Sequence, residues 1–303
     1  MVDRYFWGEI ERISPEAPVP VVEVREENYN LGGAANVVNN LAALGTQPVP
    51  FGVIGDDEAG RTLKDILREQ SLDSACVFVS KDRPTTIKTR VIARNQHVVR
   101  VDRESRQDLP REIEDAIIAK FREMASTFDA AIFQDYNKGV ITERIIREIT
   151  KIANENGVTI STDPKFHNFF AYQGVTVFKP NIKETEAALV TKIETDDDLI
   201  DCGRKIFELI APKHLLITRG SKGMTLFLDR ENTVHLPTKA LKVHDVSGAG
   251  DTVIATLTAF LAAGASLEEA AIIANYAAGE VCEEVGVVTI SSGRLRDILL
   301  EKD

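Results

Sequence analysis

Short apolar runs alternate with longer amphipathic segments along the chain from about residue 47. "PVPFGVIG" is followed by "AGRTLKDILREQ", and "DAAIFQDY" is followed by "ITERIIREITKIANENG". Strands that are apolar throughout, separated by segments with a period near 3.6 residues, are typical of a parallel sheet that helices cover on both faces. The pattern predicts an α/β fold with a Rossmann-like, doubly wound and mostly parallel sheet.

Two stretches depart from this pattern. Residues Pro18 to Glu26 and Thr85 to Ser105 alternate apolar and polar positions, which predicts strands with one solvent-exposed face. We expect them to form a small β-sheet lid, inserted over about residues 8–30 and 80–106. The sequence contains no internal repeat or linker, so we predict a single domain over residues 1–303.

Composition and charge narrow the classes of protein. The chain has a formal net charge of -11 and a pI near 5.1, which argues against binding to nucleic acid or to an anionic membrane, since both require positive charge. The three cysteines form no CxxC pair, and the five histidines have no metal-ligand spacing. With neither a signal peptide nor a membrane-spanning apolar run in the sequence, we expect a cytoplasmic protein.

Polar residues follow several of the predicted strands. Asp135, Asp163, Asn181 and Thr218 each stand at or just beyond the end of an apolar run. Ligands bind beyond the carboxyl ends of strands in open parallel sheets, so these side chains would share one rim. For any one of them alone, the start of an ordinary loop is the better explanation.

The segment "HDVSGAGDT" precedes an apolar run that predicts a buried helix. Gly248, Ala249 and Gly250 would let backbone N–H groups converge where the helix N-terminus adds positive dipole, which predicts an anion hole for a phosphoryl group. Asp251 would lie in the first turn, where a general base requires a carboxylate. A loop that ends in a helix cap is the alternative.

Two further segments would begin helices. Asn181 and Glu184 in "PNIKE" fit a capping box, and they fit equally well a pair that hydrogen-bonds magnesium-bound water near phosphates. In "NLGGAANVVNNLAALG", Gly32 and Gly33 would allow a ligand to approach closely, and Asn36 would bind its hydroxyls. Close helix packing would explain these glycines equally well.

The predicted lid is basic although the chain is acidic. Residues 81–106 contain eight Lys and Arg residues and three Asp and Glu residues. Alternation puts Lys88 and Arg90 on one side of a strand, with Arg94 as a further candidate, which would make a cationic fork for an anionic substrate. A solvated strand face is the usual meaning of such charge.

Taken together, these segments resemble the ribokinase (PfkB) family of carbohydrate kinases over essentially the whole chain. "GGAANVVNNLAALG" and "DVSGAGDT" look like the two family signatures, and "NIKE" looks like the Asn-x-x-Glu motif between them. The resemblance implies a ribokinase-like fold and ATP-dependent phosphoryl transfer to a sugar hydroxyl with Mg²⁺. It also implies a β lid that contributes to homodimer contacts.

The resemblance also implies roles for individual residues. Asp251 would be the catalytic base, Gly248 to Gly250 the anion hole, and Asp245 with Gly286 a site for a monovalent cation such as K⁺. The nucleotide and magnesium would be bound by Asn181, Glu184, Thr218, Arg219, Gly220, Gly223 and Asn275. The sugar phosphate would be bound by Asp3, Gly32, Gly33, Asn36, Lys88, Arg90, Arg94 and Asp135.

Within the family, "IKTRVIARNQHVVRVD", "DYNKG" and "DPK" are most similar to kinases of the bacterial heptose pathway. Those enzymes phosphorylate the anomeric hydroxyl of D-glycero-β-D-manno-heptose 7-phosphate to give the 1,7-bisphosphate, a precursor of ADP-heptose. The HxGH element of a nucleotidyltransferase domain is not found in the sequence, so we expect kinase activity alone. The family pattern places a strand ending in Gly-Asp before the segment that corresponds to "MVDRY".

Two other functions remain open. A kinase of the same family acting on another sugar, sugar phosphate or nucleoside would use the same motifs. A non-catalytic module that senses a sugar or nucleotide would keep the fold but would not require Asp251 as a base.

Overall fold

The computed structural model describes residues 1–94, 96–239, 244–284 and 286–301. They form two compact units: Met1–Ala35 with Val49–Gln107, and Asn36–Pro48 with Asp108–Asp303. The single domain over residues 1–303 stays a prediction. None of the helices formed by these described residues combines the length and the apolarity that crossing a membrane requires.

The first unit contains a four-stranded sheet, a two-stranded sheet and one complete helix. Its strands are β1 (Val2–Ile13), β2 (Pro20–Leu31), β3 (Gly52–Gly55), β4 (Val77–Ser80), β5 (Ile87–Ala93) and β6 (Gln96–Arg103). Helix α1 (Ala34–Ala43) continues into the second unit, and α2 (Glu58–Glu69) lies between β3 and β4 in the chain.

The small β-sheet predicted from the alternating stretches is confirmed. Its strand order is β2-β1-β5-β6, with β1 parallel to β5 and antiparallel to β2. The lid segment predicted from about residue 8 includes only the second half of β1, whose pairing with β2 has two register irregularities, at Trp7/Gly8 and at Ile10/Arg12. One face is anchored by a cluster of buried side chains that includes Val2, Leu31 and Leu63.

The second unit contains the larger α/β layer. Its strands are β7 (Ala130–Gln134), β8 (Thr159–Asp163), β9 (Val177–Phe178), β10 (His214–Thr218), β11 (Met224–Phe227) and β12 (Thr233–Leu236). Its helices are α3 (Arg111–Met124), α4 (Glu143–Glu155), α5 (Ile182–Leu189), α6 (Asp196–Ile210), α7 (Ala249–Ala262), α8 (Leu267–Val281) and α9 (Ser292–Leu300).

The larger sheet places the polar residues at the carboxyl ends of its parallel strands along one edge. Strands β7 to β10 are parallel neighbours, and β11 and β12 extend the sheet as antiparallel strands. This mostly parallel arrangement confirms the predicted α/β fold class. The carboxyl ends of the parallel strands therefore lie at the same edge, and the buried helix α7 packs against β7 and β8.

Candidate active site

The start of helix α7 has the geometry of an anion site. Gly248 precedes the helix with a φ of 83°, a left-handed backbone that side chains rarely tolerate. A Cβ atom there would also lie 3.2 Å from Asn36 Nδ2 and from Val287 Cγ1. First-turn N–H groups have no partner within the helix. The Ala249 N–H, predicted to be part of the anion hole, donates to the Val246 carbonyl at 3.3 Å, so the N–H groups of Gly250 and Asp251 are the ones suited to binding an anion.

Asp251 lies in this first turn, and only 8% of its surface is exposed. Three neutral groups donate hydrogen bonds to its carboxylate. Asn36 Nδ2 binds Oδ2 at 2.8 Å, whereas the Tyr136 hydroxyl and Gln134 Nε2 bind Oδ1 at 2.7 and 3.1 Å. The carboxylate is thus oriented by hydrogen bonds, without a direct cationic partner among the described residues.

Burial raises the pKa of Asp251 from 3.8 to about 6. The hydrogen bonds from Asn36 and Tyr136 act in the opposite direction, because they stabilise the ionised form. A carboxylate with this pKa is largely ionised at neutral pH, yet it is a stronger base than an ordinary aspartate. These are the properties that a general base requires.

A buried ion-pair network lies beside Asp251. Lys179 Nζ is 3.1 Å from Asp163 Oδ2, and Lys165 Nζ is 3.6 Å from Asp163 Oδ1 and also binds Glu184. Burial alone would lower the pKa of Lys165, but Asp163 and Glu184 outweigh burial and raise it. The network therefore connects the surroundings of Asp251 with Glu184, a predicted nucleotide-site residue.

Helix α1 contributes two asparagines on its face towards α7. Asn40 Nδ2 donates to the Asn36 carbonyl at 2.9 Å, and Asn40 Oδ1 accepts a hydrogen bond from Thr252 Oγ1 at 2.9 Å. Asn36 in turn binds Asp251. The predicted sugar-binding residue Asn36 is therefore held next to the carboxylate and orients it.

Asn181 and Glu184 form the capping box at the start of α5. Asn181 Oδ1 accepts from the Glu184 backbone N–H at 2.9 Å, and Glu184 Oε2 accepts from the Asn181 N–H at 2.9 Å. Asn181 also bridges to Thr218 at the end of the neighbouring strand β10. The capping interpretation is thus realised, and it leaves room for a functional role because Glu184 also faces Lys165.

The other predicted nucleotide-site residues lie at the end of β10, between β10 and β11, or next to the residue that follows β12. Thr218 and Arg219 lead into a short turn that contains Gly220, and Gly223 precedes β11. Arg219 forms an ion pair with Asp196. Asn275 on α8 is buried and donates to the Pro237 carbonyl at 2.7 Å.

Asp135 is buried and its carboxylate is already bound by protein donors. Oδ1 accepts from the Asn137 N–H at 2.8 Å, and Oδ2 accepts from the Tyr172 hydroxyl at 2.9 Å and from Asn168 Nδ2 at 3.2 Å. In this structure Asp135 holds the loop that carries Tyr136. Its assignment to the substrate stays a prediction.

The two residues predicted to bind a monovalent cation are neighbours. Asp245 Oδ2 accepts a hydrogen bond from the Gly286 N–H at 3.1 Å, and Oδ1 accepts one from the Ser247 N–H at 2.9 Å. In the part of the chain that the structure describes, no group of three or more His, Cys, Asp or Glu side chains is arranged to bind a metal. The K⁺ site stays a prediction.

Two predicted sugar-binding residues of the first unit, Gly32 and Arg90, lie next to the buried carboxylate of Asp3. Arg90 Nη1 lies 2.9 Å from Asp3 Oδ1. A Cβ atom at Gly32 would come within 2.7 Å of the Asp3 carboxylate, so a side chain at this position would require the carboxylate to move. Gly33, with a φ of 55°, follows directly.

The basic residues of the predicted cationic fork are paired with acidic residues of the first unit, and their role as a fork stays a prediction. Lys88 Nζ lies 2.8 Å from Asp102 Oδ2 and 3.8 Å from Glu104 Oε2, while Arg90 pairs with Asp3. Arg94 lies beyond a register irregularity, in the turn after β5, with a left-handed φ of 49°. Lys88 and Arg90 thus share a strand, and Arg94 does not continue their alternation.

Sequence analysis did not identify four residues of the Asp251 surroundings: Gln134, Tyr136, Lys179 and Asn40. A lysine inside the apolar run "VTVFKPN" was the best available signal, since an almost fully buried lysine requires a partner. Gln134, Tyr136 and Asn40 carry no comparable signal, because their contacts depend on which elements become neighbours.

The raised pKa of Asp251 predicts a pH-dependent difference in stability. The folded protein binds this proton more tightly than the unfolded chain, so its stabilising contribution is complete below pH 3.8 and is lost as the pH rises through about 6. Relative to Asp251→Asn, the wild type should therefore lose about 2–3 kcal/mol of unfolding free energy between pH 4 and 7. Urea denaturation of both proteins across this range measures the difference.

Asp201→Asn is the matched control, because Asp201 is an exposed aspartate on α6 whose partner is the neighbouring Arg204. The difference in unfolding free energy between Asp201→Asn and wild type should change little between pH 4 and 7. If the difference in unfolding free energy between Asp251→Asn and wild type also stayed constant with pH, the raised pKa of Asp251 would be contradicted.

Comparison with known proteins gives matches over almost the whole chain. A family model described as pfkB family carbohydrate kinase matches residues 4–292. The bifunctional protein HldE of Geotalea uraniireducens is 43% identical over 295 residues, which cover 97% of this chain and 60% of that protein. HldE of Paramagnetospirillum magneticum is 40% identical over 303 residues, which cover 100% of this chain and 62% of that protein. The chain spans about 60% of the length of these curated relatives.

Solved structures with the same fold include two sugar or sugar-phosphate kinases. Arabidopsis thaliana ribokinase, complexed with ribose and ATP, has a TM-score of 0.77 at 18% identity and covers 98% of this chain and 95% of its own. Escherichia coli phosphofructokinase-2, in complex with potassium, has a TM-score of 0.80 at 20% identity, and the match covers 99% of this chain and 95% of the phosphofructokinase-2 chain. Given the family match and the relatives at 40–43% identity, this chain belongs to the pfkB family of carbohydrate kinases, phosphotransferases that act on a sugar hydroxyl.

Proposed function

We propose that the protein transfers the γ-phosphate of ATP to the anomeric hydroxyl of D-glycero-β-D-manno-heptose 7-phosphate and forms the 1,7-bisphosphate. The observation that carries this proposal is the buried Asp251, with a pKa of about 6, in the first turn of a helix preceded by Gly248. A carboxylate beside an anion site fits a base that deprotonates an acceptor hydroxyl. The named relatives and the sequence similarity to heptose-pathway kinases support the choice of sugar.

The chemistry follows from these groups. The acceptor hydroxyl gives its proton to Asp251 while its oxygen attacks the γ-phosphorus, and ADP leaves with the electron pair of the broken P–O bond. The backbone N–H groups after Gly248 stabilise the charge on the transferring group. Ionised Asp251 is the active form, so activity should fall as the pH drops through about 6.

The residues around Asn181 and Glu184 fit a magnesium ion that acts through its water ligands. Asn181 Oδ1 and Glu184 Oε2 each accept one backbone hydrogen bond, which leaves a second lone-pair position on each oxygen for metal-bound water. Magnesium keeps several waters in such sites. When bound with the nucleotide, magnesium neutralises phosphate charge. Thr218, Arg219, Gly220, Gly223 and Asn275 are proposed to line the nucleotide site.

Binding of a monovalent cation near Asp245 and Gly286 is a further part of the proposal. The direct hydrogen bond between these two residues supports it, as does the potassium complex of the fold relative phosphofructokinase-2. We also propose a cytoplasmic location, where ATP and phosphorylated sugars are available.

The rival functions are a kinase for another acceptor and a non-catalytic sensor. A sensor has no use for a buried carboxylate that hydrogen bonds hold ionised at neutral pH, because burial of a charge costs stability. Asp251 therefore favours catalysis, and the choice of acceptor depends on the lid.

Asp251→Asn should lower kcat on the best acceptor by about a hundredfold or more, because a general base contributes at least this factor. A coupled assay of ADP release over a panel of sugars and sugar phosphates measures the effect. Asp201→Asn is the control and should retain wild-type kcat. Turnover within a few fold of wild type in Asp251→Asn would contradict the assignment of the base, and no turnover with any acceptor in wild type would favour a sensor.

Lys88 and Arg90 are proposed to bind the 7-phosphate after exchanging their present acidic partners. Lys88→Ala and Arg90→Ala should lower kcat/KM for heptose 7-phosphate about tenfold more than for the unphosphorylated heptose, since each removes a charge-assisted contact. Arg106→Ala is the control, because this lid arginine is exposed and pairs with Glu104. Equal losses on the two acceptors would contradict the phosphate fork.

The lid is also proposed to form a homodimer contact. Phe6, Val22 and Val91 line an apolar groove in its sheet together with Val24 and Val99, which are 51% and 49% exposed. A second copy of the lid would remove this surface from water.

Val24→Glu should therefore shift the protein from dimer to monomer in sedimentation velocity experiments, because it puts a charge in the apolar contact. Leu209→Glu, at an equally exposed leucine on α6, should not change the oligomeric state. A monomeric wild type, or a Val24→Glu dimer as stable as wild type, would contradict the proposed contact.

A further inference from the structure

The two oxygens of the Asp251 carboxylate have different surroundings. Oδ1 accepts hydrogen bonds from the Tyr136 hydroxyl at 2.7 Å and from Gln134 Nε2 at 3.1 Å, whereas Oδ2 accepts one from Asn36 Nδ2 at 2.8 Å. A carboxylate oxygen offers about two lone-pair positions. Oδ1 is therefore saturated, and Oδ2 keeps one acceptor position within the described part of the chain.

The Gln134 side chain is fixed by a second carboxylate. Its Nε2 also donates to Asp163 Oδ2 at 3.2 Å, so the two amide hydrogens bridge Asp163 and Asp251. Only the NH₂ end of the amide can face two carboxylates, which determines its orientation. Asp163 is itself held by the ion pair with Lys179.

Tyr136 is held by a cation near its ring and by the hydrogen bonds of the residue that precedes it. Lys165 Nζ lies 5.9 Å from the ring centroid, and the preceding residue Asp135 is bound by Tyr172 and Asn168. Burial and the neighbouring Asp251 carboxylate raise the pKa of the Tyr136 phenol, so the hydroxyl keeps its proton and acts as a donor. Both donors to Oδ1 are thus held in place by contacts of their own.

We propose that Tyr136 and Gln134 are positioning residues that saturate Oδ1 of Asp251, so that Oδ2 is the oxygen that takes the acceptor proton. This inference rests on the proposed function, in which Asp251 is the general base. The acceptor O–H bond breaks as its proton bonds to Oδ2, the hydroxyl oxygen bonds to the γ-phosphorus of ATP, and ADP leaves with the electrons of the broken P–O bond.

Neutral donors suit this task because the neighbouring charges oppose each other. The charged or titratable groups that face Asp251 are Asp163, Lys179, Lys165 and Tyr136. Asp163 disfavours ionisation of Asp251, and Lys179 favours it. Because the effects of Asp163 and Lys179 oppose each other, the hydrogen bonds from neutral donors help to keep Asp251 ionised. A direct salt bridge would lower the pKa of Asp251 and make it a weaker base.

The experiment is the pH dependence of kcat/KM in Tyr136→Phe and in the isosteric Gln134→Glu. Each removes a donor to the ionised form, so the acid limb of the profile should move upward by about one pH unit in Tyr136→Phe. It should move further in Gln134→Glu, which also brings a third carboxylate. The plateau kcat should fall several-fold, and KM for ATP should change less than kcat.

Tyr172→Phe is the matched control, because it also removes a buried hydroxyl that binds an aspartate, in this case Asp135. Its acid limb should coincide with that of wild type, even if its activity is lower. An acid limb in Tyr136→Phe that coincides with wild type, or a shift of the same size in Tyr172→Phe, would overturn the inference.

Two further readouts keep the outcomes distinct. If Asp251→Asn retains turnover, the proposed function fails. If Asp251→Asn loses turnover but the acid limbs of Tyr136→Phe and Gln134→Glu coincide with that of wild type, only the inference is refuted. If a variant is too inactive for a profile, the loss of stability between pH 4 and 7 should be larger in Tyr136→Phe than in wild type. If Tyr136→Phe lost the same unfolding free energy as wild type between pH 4 and 7, the inference would also be refuted.

Discussion

The site depends on one constraint, which is the burial of an ionisable carboxylate without a direct cationic partner. A salt bridge would hold Asp251 ionised, but it would also lower its pKa and make it a poor base. Burial alone would raise the pKa further and neutralise the group. Three neutral hydrogen-bond donors, from Asn36, Gln134 and Tyr136, give an intermediate result, a carboxylate with a pKa of about 6.

The rest of the second unit supports these donors. Parallel strands bring Gln134 and Asp163 to one edge of the sheet, since β7 and β8 are neighbours in register. Lys179 neutralises Asp163, so the second carboxylate beside Asp251 does not remain an unpaired buried charge. Asn40 and Thr252 connect helices α1 and α7 at the level of Asn36 and Asp251. The geometry around Asp251 is therefore a property of the packed layer more than of the signature segment.

Several residues that were predicted to bind ligands also have structural roles. The Asn181–Glu184 pair is a complete capping box, and Glu184 also binds Lys165 in the network beside Asp163. Asp135 was predicted to bind the substrate, and in the structure it anchors the loop that carries Tyr136. Because a helix cap and a ligand site can use the same side chains, the sequence alone did not distinguish the two roles for Asn181 and Glu184.

The sequence by itself determined the α/β class, the small lid sheet and the location of Asp251 after a glycine-rich turn. These features are local, because hydrophobic period, turn chemistry and capping depend on residues close together in the chain. Only the tertiary structure decided that Gln134, Tyr136 and Asn36 converge on Asp251, and that Lys179 pairs with Asp163. Those contacts join residues separated by up to 215 positions, and their geometry depends on strand order and helix packing, which no local pattern encodes.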